Sequence, residues 1–199
     1  MSSIERIESA VCDYLGTCPQ YRTLRFLSPD DWNDKFGRDS SLFGGTAAIH
    51  TDDGDIFIRE GYSSDAVHEL VHAAGMHEDG QNQTEFILEG ITQAATKEIA
   101  LTINVGVRLT YQEEVDYVLK YLVPSTGLTV RELASGYAKA EKKIKFIADA
   151  IWSRNASHFD TDEWSSNKML RHELELSLKR QVGAHNTYLN FLVDEVGLK

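Results

Sequence analysis

Apolar positions along this chain follow strand-like and helical periods at first, and helical periods alone later. Ile4, Ile7, Val11, Tyr14 and Leu15 mark one face of a helix over residues 3–15. Residues 21–27 read as a strand. Ser28-Pro29 then opens a short helix, with Ser as N-cap, Pro at the first position and Gly37 as stop. Two short strands follow, at 46–50 and 55–59, separated by the turn signal Asp52-Asp53-Gly54. In the stretch 66–74, Val67, Leu70, Val71 and Ala74 form a helical stripe. Ser63, Ser64 or Asp65 can cap its start, and Gly75 its end.

From there the pattern is helical. Helices are expected over 84–103, over 113–122 with a stop before Pro124, and over 129–140. The last of these either continues or breaks into 142–153, where Ile144, Ile147, Ala148 and Ile151 give a buried side. Residues 155–160 read as a loop. Thr161, with Glu163 close behind, caps a helix reaching Gln181, and 182–196 forms the last helix. A small sheet followed by helices only is an α+β layout with the helices segregated. The expected organisation is a domain over 1–140 with a helical extension over 141–199, the alternative being one single domain.

The motif His68-Glu69-Leu70-Val71-His72 adds chemistry to this layout. Residues four apart lie one above the other on a helix, so both imidazoles can aim at one point. Two imidazoles at that spacing make half of a tetrahedral zinc site. Glu69 is then placed to take a proton from a water that the metal polarises. The apolar stripe lies mostly opposite the histidines, so the helix can pack one side and offer the other. A catalytic zinc needs a third protein ligand and an open position. The next helical segment offers Glu85 and Glu89, four apart on one face.

An HExxH helix followed by Glu89-Gly90-Ile91-Thr92 on a second helix resembles the gluzincin metallopeptidases, above all their short relatives, the minigluzincins. The resemblance covers roughly residues 44–140. It implies a zincin-like fold with a small antiparallel or mixed sheet, one zinc ion per chain, His68, His72 and Glu89 as ligands, and Glu69 as general base. It further implies an extended peptide along a sheet edge, supplied by one of the strands 46–50 and 55–59 or by Gly44-Gly45 beside them. Downstream of the third ligand, such enzymes supply a group that stabilises the oxyanion. Tyr111, which opens the next helix, fits that place best, with Tyr117 and Tyr137 as alternatives. Two positions depart from the family. Leu88 stands where Asn is common, and Gln93 where an acidic residue orients a ligand histidine. A competing pattern, His72 to Glu78, is similar to that of the metzincins and would make His77 or Glu78 the third ligand. The Met-turn that pattern needs finds only Met169, inside a helical stretch.

The function this implies is hydrolysis of peptide bonds in a peptide or protein substrate. Two alternatives remain: a non-catalytic, metal-stabilised binding protein on the same scaffold, and a proteolytic toxin or effector delivered into another cell. The composition narrows the partners. The 199 residues suffice for a sizeable core, 42% are apolar and three are proline. No run approaches the ~20 apolar residues of a membrane span. Met1-Ser2-Ser3-Ile4-Glu5-Arg6 has neither the basic start nor the apolar core of a secretory signal, so a cytoplasmic protein is expected. Cys12, near an apolar helical stripe, reads as a free buried thiol and not as half of a disulfide with Cys18, which fits a reducing cytosol. The net charge of −11 sits entirely in residues 1–95, with 17 acids against 6 bases, while residues 96–199 carry 14 of each. That sign argues against nucleic acid. An acidic cleft would attract basic peptides, and solvated acidic loops account for the same count. His158, His172 and His185 read as ordinary helix or loop residues.

Overall fold

The computed structural model describes residues 3–37, 47–51, 53–62, 65–76, 85–108, 110–155, 164–180, 189–190 and 193. The chain is α+β, with a small mixed sheet and otherwise helices. It divides into two compact units, Met1–Gly75 with Thr96–Arg108, and Met76–Ala95 with Leu109–Lys199.

The first unit is built on α1 (Ser3–Leu15), β1 (Thr23–Leu27), α2 (Pro29–Phe36), β2 (Ala48–His50), β3 (Asp55–Arg59) and α3 (Asp65–Ala73), with the end of α4 (Glu85–Thr102). The strand order is β1-β3-β2, with β1 parallel and β2 antiparallel to β3. The expected hairpin is present. Gly54, at φ +79, donates to the Thr51 carbonyl and closes its turn. The run Ile56-Phe57-Ile58 is buried throughout, as a central strand covered on both faces requires. Phe57 meets the Phe36 ring of α2 at 5.7 Å; Ile56 and Ile58 face the other side by alternation. Ser28 caps α2 by accepting from the Asp31 N–H, with Pro29 behind it and Gly37 as stop.

The buried face of α1, Ile7, Val11, Tyr14 and Leu15, packs against α3. Tyr14 donates to Glu98 at 2.5 Å and Arg6 to the Ile103 carbonyl at 2.6 Å, which ties α1 to the end of α4. The cysteine expectation is overturned. Cys12 and Cys18 form a disulfide, with Cα atoms 4.4 Å apart. Cys12 is half-buried, not enclosed in the stripe, and Gly16 at φ +67 ends α1 and folds the chain back so that Cys18 returns to it.

The second unit is helical. It contains the start of α4, α5 (Gln112–Tyr117), a π-helical turn Val118–Leu122, α6 (Val123–Thr126), α7 (Val130–Lys139), α8 (Lys143–Arg154) and α9 (Trp164–Lys179). The expected stop before Pro124 does not occur. Proline lacks an N–H and crowds the carbonyl four residues back, and the chain answers by widening one turn. The Val123 N–H bonds Val118, five residues earlier, and the helical path runs on to Gly127 at φ +69. Thr129 and Glu132 form a reciprocal capping box at the start of α7. The segment after it breaks at 140–142, where the buried Lys143 ammonium bonds the carbonyl of Tyr137 at 3.0 Å and those of Ala138 and Ala140 at 3.4 Å. Asn155 binds Ser125 O, and α8 packs on α9 with Arg171 paired to Asp149. Residues 109–140 and α8–α9 belong to the same unit. Of the expected loop over 155–160, residues 156–160 lie outside the described residues, as do the Thr161 cap, His158 and His185. So does the last helix, apart from helical Leu189, Asn190 and Val193. No helix among the described residues is long and apolar enough to cross a membrane.

Candidate metal centre

The histidine pair sits where its spacing requires. On α3, Ala66, Val67, Leu70 and Val71 are fully buried, while His68 and His72 are half-buried on the remaining face. Their rings lie 4.7 Å apart at 73°. The two Nε2 atoms are 3.0 Å apart, close to the ~3.3 Å edge of a tetrahedron with metal–nitrogen bonds of about 2.0–2.1 Å. Gly75 ends the helix at φ +113, its N–H on the His72 carbonyl, as expected of a C-cap. Ser63 and Ser64 lie outside the described residues, and Asp65 begins the helix.

Glu89 completes the group. One ligand atom each from His68, His72 and Glu89 lie within 4.8 Å of one another, and all three residues are half-buried. Two imidazole nitrogens and one carboxylate oxygen are a donor set that a divalent metal such as zinc accepts. Glu69, 9% exposed, is buried on the same helix. Glu85 is exposed at the start of α4 and outside the group; His77 and Glu78 lie outside the described residues.

The helix carrying Glu89 explains the glycine that follows. A Cβ at Gly90 would lie 2.6 Å from the Glu114 carbonyl oxygen and 2.8 Å from Val118, so only glycine lets α4 pass α5 this closely. Sequence reasoning missed another property of α4. Thr92, Gln93 and Thr96 fall within one side of the helix that also bears Glu89, and all three are buried. The Thr92 and Thr96 hydroxyls make no hydrogen bond, whereas Thr126 and Thr102 donate back to carbonyls of their own helices. The signal was available as polar residues spaced 3, 4 and 7 from Glu89 in an otherwise apolar helix. Leu88 is also buried.

Tyr111 stands at the N-cap of α5 and is half-buried, and it is not among the three grouped residues. Tyr117 and Tyr137 are core residues: Tyr117 meets the Phe86 ring edge-to-face and the tilted Tyr121 ring, and Tyr137 lies under the Lys143 ammonium. For the sheet edge, β2 pairs only with β3 among the described residues and packs beside α3. Gly44-Gly45 and Thr46 are outside them.

Two titrating groups are strongly shifted, both by structural contacts. Asp55 is held down at about 2 by hydrogen bonds from Arg22 and Thr23, which clip β1 to β3. Tyr21 is pushed up to about 12 by burial and by its bond to Glu8. Comparison with known protein families, with characterised proteins and with solved structures gives no match.

Proposed function

We infer that the chain is a zinc-dependent peptidase of zincin type, related to the gluzincins. The observation that carries this reading is the convergence of His68, His72 and Glu89 with Glu69 beside them. A metal-stabilising site needs the first three residues only; the fourth is what hydrolysis adds. Zinc held there would supply Lewis acidity toward a water and the scissile carbonyl. Glu69 accepts the proton of that water and delivers it to the leaving amine nitrogen. His68, His72 and Glu89 are the ligands. The edge of β2 that is unpaired among the described residues, next to α3, takes the peptide as an added strand. Tyr111 is the candidate to donate to the oxyanion.

The test has two parts. Purified protein should hold about one zinc per chain, and His72→Ala should lose it. Glu69→Gln should keep the zinc and lose cleavage of a peptide library. Retained cleavage in Glu69→Gln would overturn the mechanism. Zinc without any cleavage by the wild type would leave a binding protein on this scaffold.

A further inference from the structure

The carbonyls at the C-terminal end of α3 are closed in two ways. Those of Leu70 and Val71 accept from the Ala74 N–H, and that of His72 from the Gly75 N–H, all within the helix's own last turn. The Ala73 carbonyl, next in the chain to His72, accepts from the Gln20 N–H at 2.8 Å, a donor remote in sequence. A last-turn carbonyl has no partner inside its helix, so this bond is a cap supplied from outside. α3 is nine residues long, and a helix that short depends on its ends and its packing.

Gln20 is positioned by what precedes it. Gly16 ends α1 with its N–H on the Cys12 carbonyl, and the Cys12–Cys18 disulfide pins the returning chain to α1. Only Pro19, whose φ is fixed by its ring, separates the bridge from the capping amide. The same α1 packs against α3. One sulfur bridge thus ties α1 to the cap of the helix that carries His68 and His72, within the first compact unit.

Two features suit this bridge to opening and closing. A disulfide stabilises a fold more the longer the loop it closes, and this one spans six positions. Cys18 is exposed, so its sulfur is within reach of an attacking thiolate. Beyond Gln20 the chain is held without the bridge: the Tyr21 hydroxyl donates to Glu8, and the Arg22 N–H bonds the Gly54 carbonyl at 2.7 Å. Opening is therefore confined to the segment around the cap.

We propose that the Cys12–Cys18 disulfide is a redox switch for the metal centre. Closed, it holds Gln20 on Ala73 and keeps the His72 end of α3 in its helical turn; opened, it releases the cap and weakens metal binding. The effect on metal rests on the peptidase reading. The partner is a dithiol. Its first thiolate attacks Cys18 Sγ, the sulfur–sulfur bond breaks, and Cys12 leaves as a thiolate that takes up a proton. Its second thiol then displaces Cys18, which is protonated in turn. Two electrons and two protons pass to the protein, and the dithiol becomes a disulfide. Exchange with an oxidised dithiol closes the bridge again.

The experiment compares three forms of the full chain. They are the oxidised protein, the protein reduced by a dithiol that is then removed under argon, and Cys12→Ser/Cys18→Ser, which has no thiols to bind metal. Amide exchange at Gln20 is read by NMR without metal, and zinc affinity by competition with a chromogenic chelator. Exchange at Gln20 should rise about tenfold or more in both open forms. The zinc dissociation constant should rise about three- to tenfold, the size of one net hydrogen bond. Reoxidation should restore both values. Gln20→Pro removes the N–H, leaves the bridge and should weaken zinc by the same factor, whereas Gln20→Ala keeps the N–H and should not. Unchanged exchange at Gln20 overturns the switch, as does zinc binding that changes by less than about twofold on opening. Unfolding of both open forms by circular dichroism overturns it too, and makes the bridge a staple. Faster exchange at Gln20 in a protein that binds no zinc in any form keeps the coupling to α3 and overturns the metal reading instead.

Discussion

The two helices that bring side chains to the candidate metal group are built in opposite ways. α3 is short and amphipathic: its apolar side is buried and its polar side carries His68 and His72. α4 is twice as long and buried around nearly its whole circumference from Phe86 to Thr96. Its polar residues therefore stand inside, and Glu89 is one of four on a single side. A polar face next to an apolar stripe is visible as a period. A polar stripe within a buried helix is not, because burial of its surroundings removes the contrast. The first helix offers its histidines through amphipathicity, the second its carboxylate through close packing that fixes where it lies.

The largest expected effect separates chemistry from packing on α3. Glu69→Gln keeps shape and volume but cannot accept a proton, so cleavage should fall by about 10²–10⁴-fold with zinc retained. A comparable fall in zinc content would mean that Glu69 supports the ligands, and α3 would then act through packing like α4. Steady-state rates together with metal analysis distinguish the two.

On α4 the corresponding break is Gly90→Ala. The added methyl meets the Glu114 backbone, which has no rotamer to escape into. A loss of about 1–3 kcal/mol in denaturant unfolding is expected, although alanine is the better helix former. Because Glu89 is the adjacent residue, zinc affinity should fall as well. An unchanged midpoint would show that α4 can slide on α5, and the carboxylate would then not be fixed by packing.

On the proposed reading, zinc joins the two sides of the comparison. At a free concentration about 100 times its dissociation constant, it should stabilise the folded protein by about 2.7 kcal/mol. The gain should vanish alike in His68→Ala, His72→Ala and Glu89→Ala, since each removes one of three converging donors. Thermal unfolding with and without the metal measures it. A gain that survives in Glu89→Ala alone would confine the site to α3.

What was legible in the chain follows from the same contrast. The α3 stripe, its Gly75 cap, the β2–β3 hairpin and the Ser28-Pro29 start are local patterns, and each stands where its residues put it. The placement of Glu89 was legible only through Gly90, and the reason for that glycine is a non-local contact with Glu114. The stop expected at Pro124 failed because a π-turn upstream absorbs the proline, an accommodation that local propensity does not encode. The disulfide is not legible in periodicity, which places Cys12 near a buried stripe, while the deciding feature is the chain reversal at Gly16. The pairing of β1 in parallel with β3 leaves no trace in either strand's alternation.

The smallest effect tests the polar stripe of α4 residue by residue. If Glu89 is kept for a ligand, its neighbours on that side need a reason of their own to be polar. Thr96 has none in its contacts, since its buried hydroxyl bonds nothing. Valine keeps the β-branched shape and nearly the same helix propensity, so Thr96→Val removes an unsatisfied group at little steric cost. The protein should gain about 1 kcal/mol in denaturant unfolding, with zinc content unchanged. A loss of stability would mean that the hydroxyl is satisfied by a buried water. The stripe would then be a hydrated track along α4, and the burial that hides Glu89 would be less dry than its neighbours suggest.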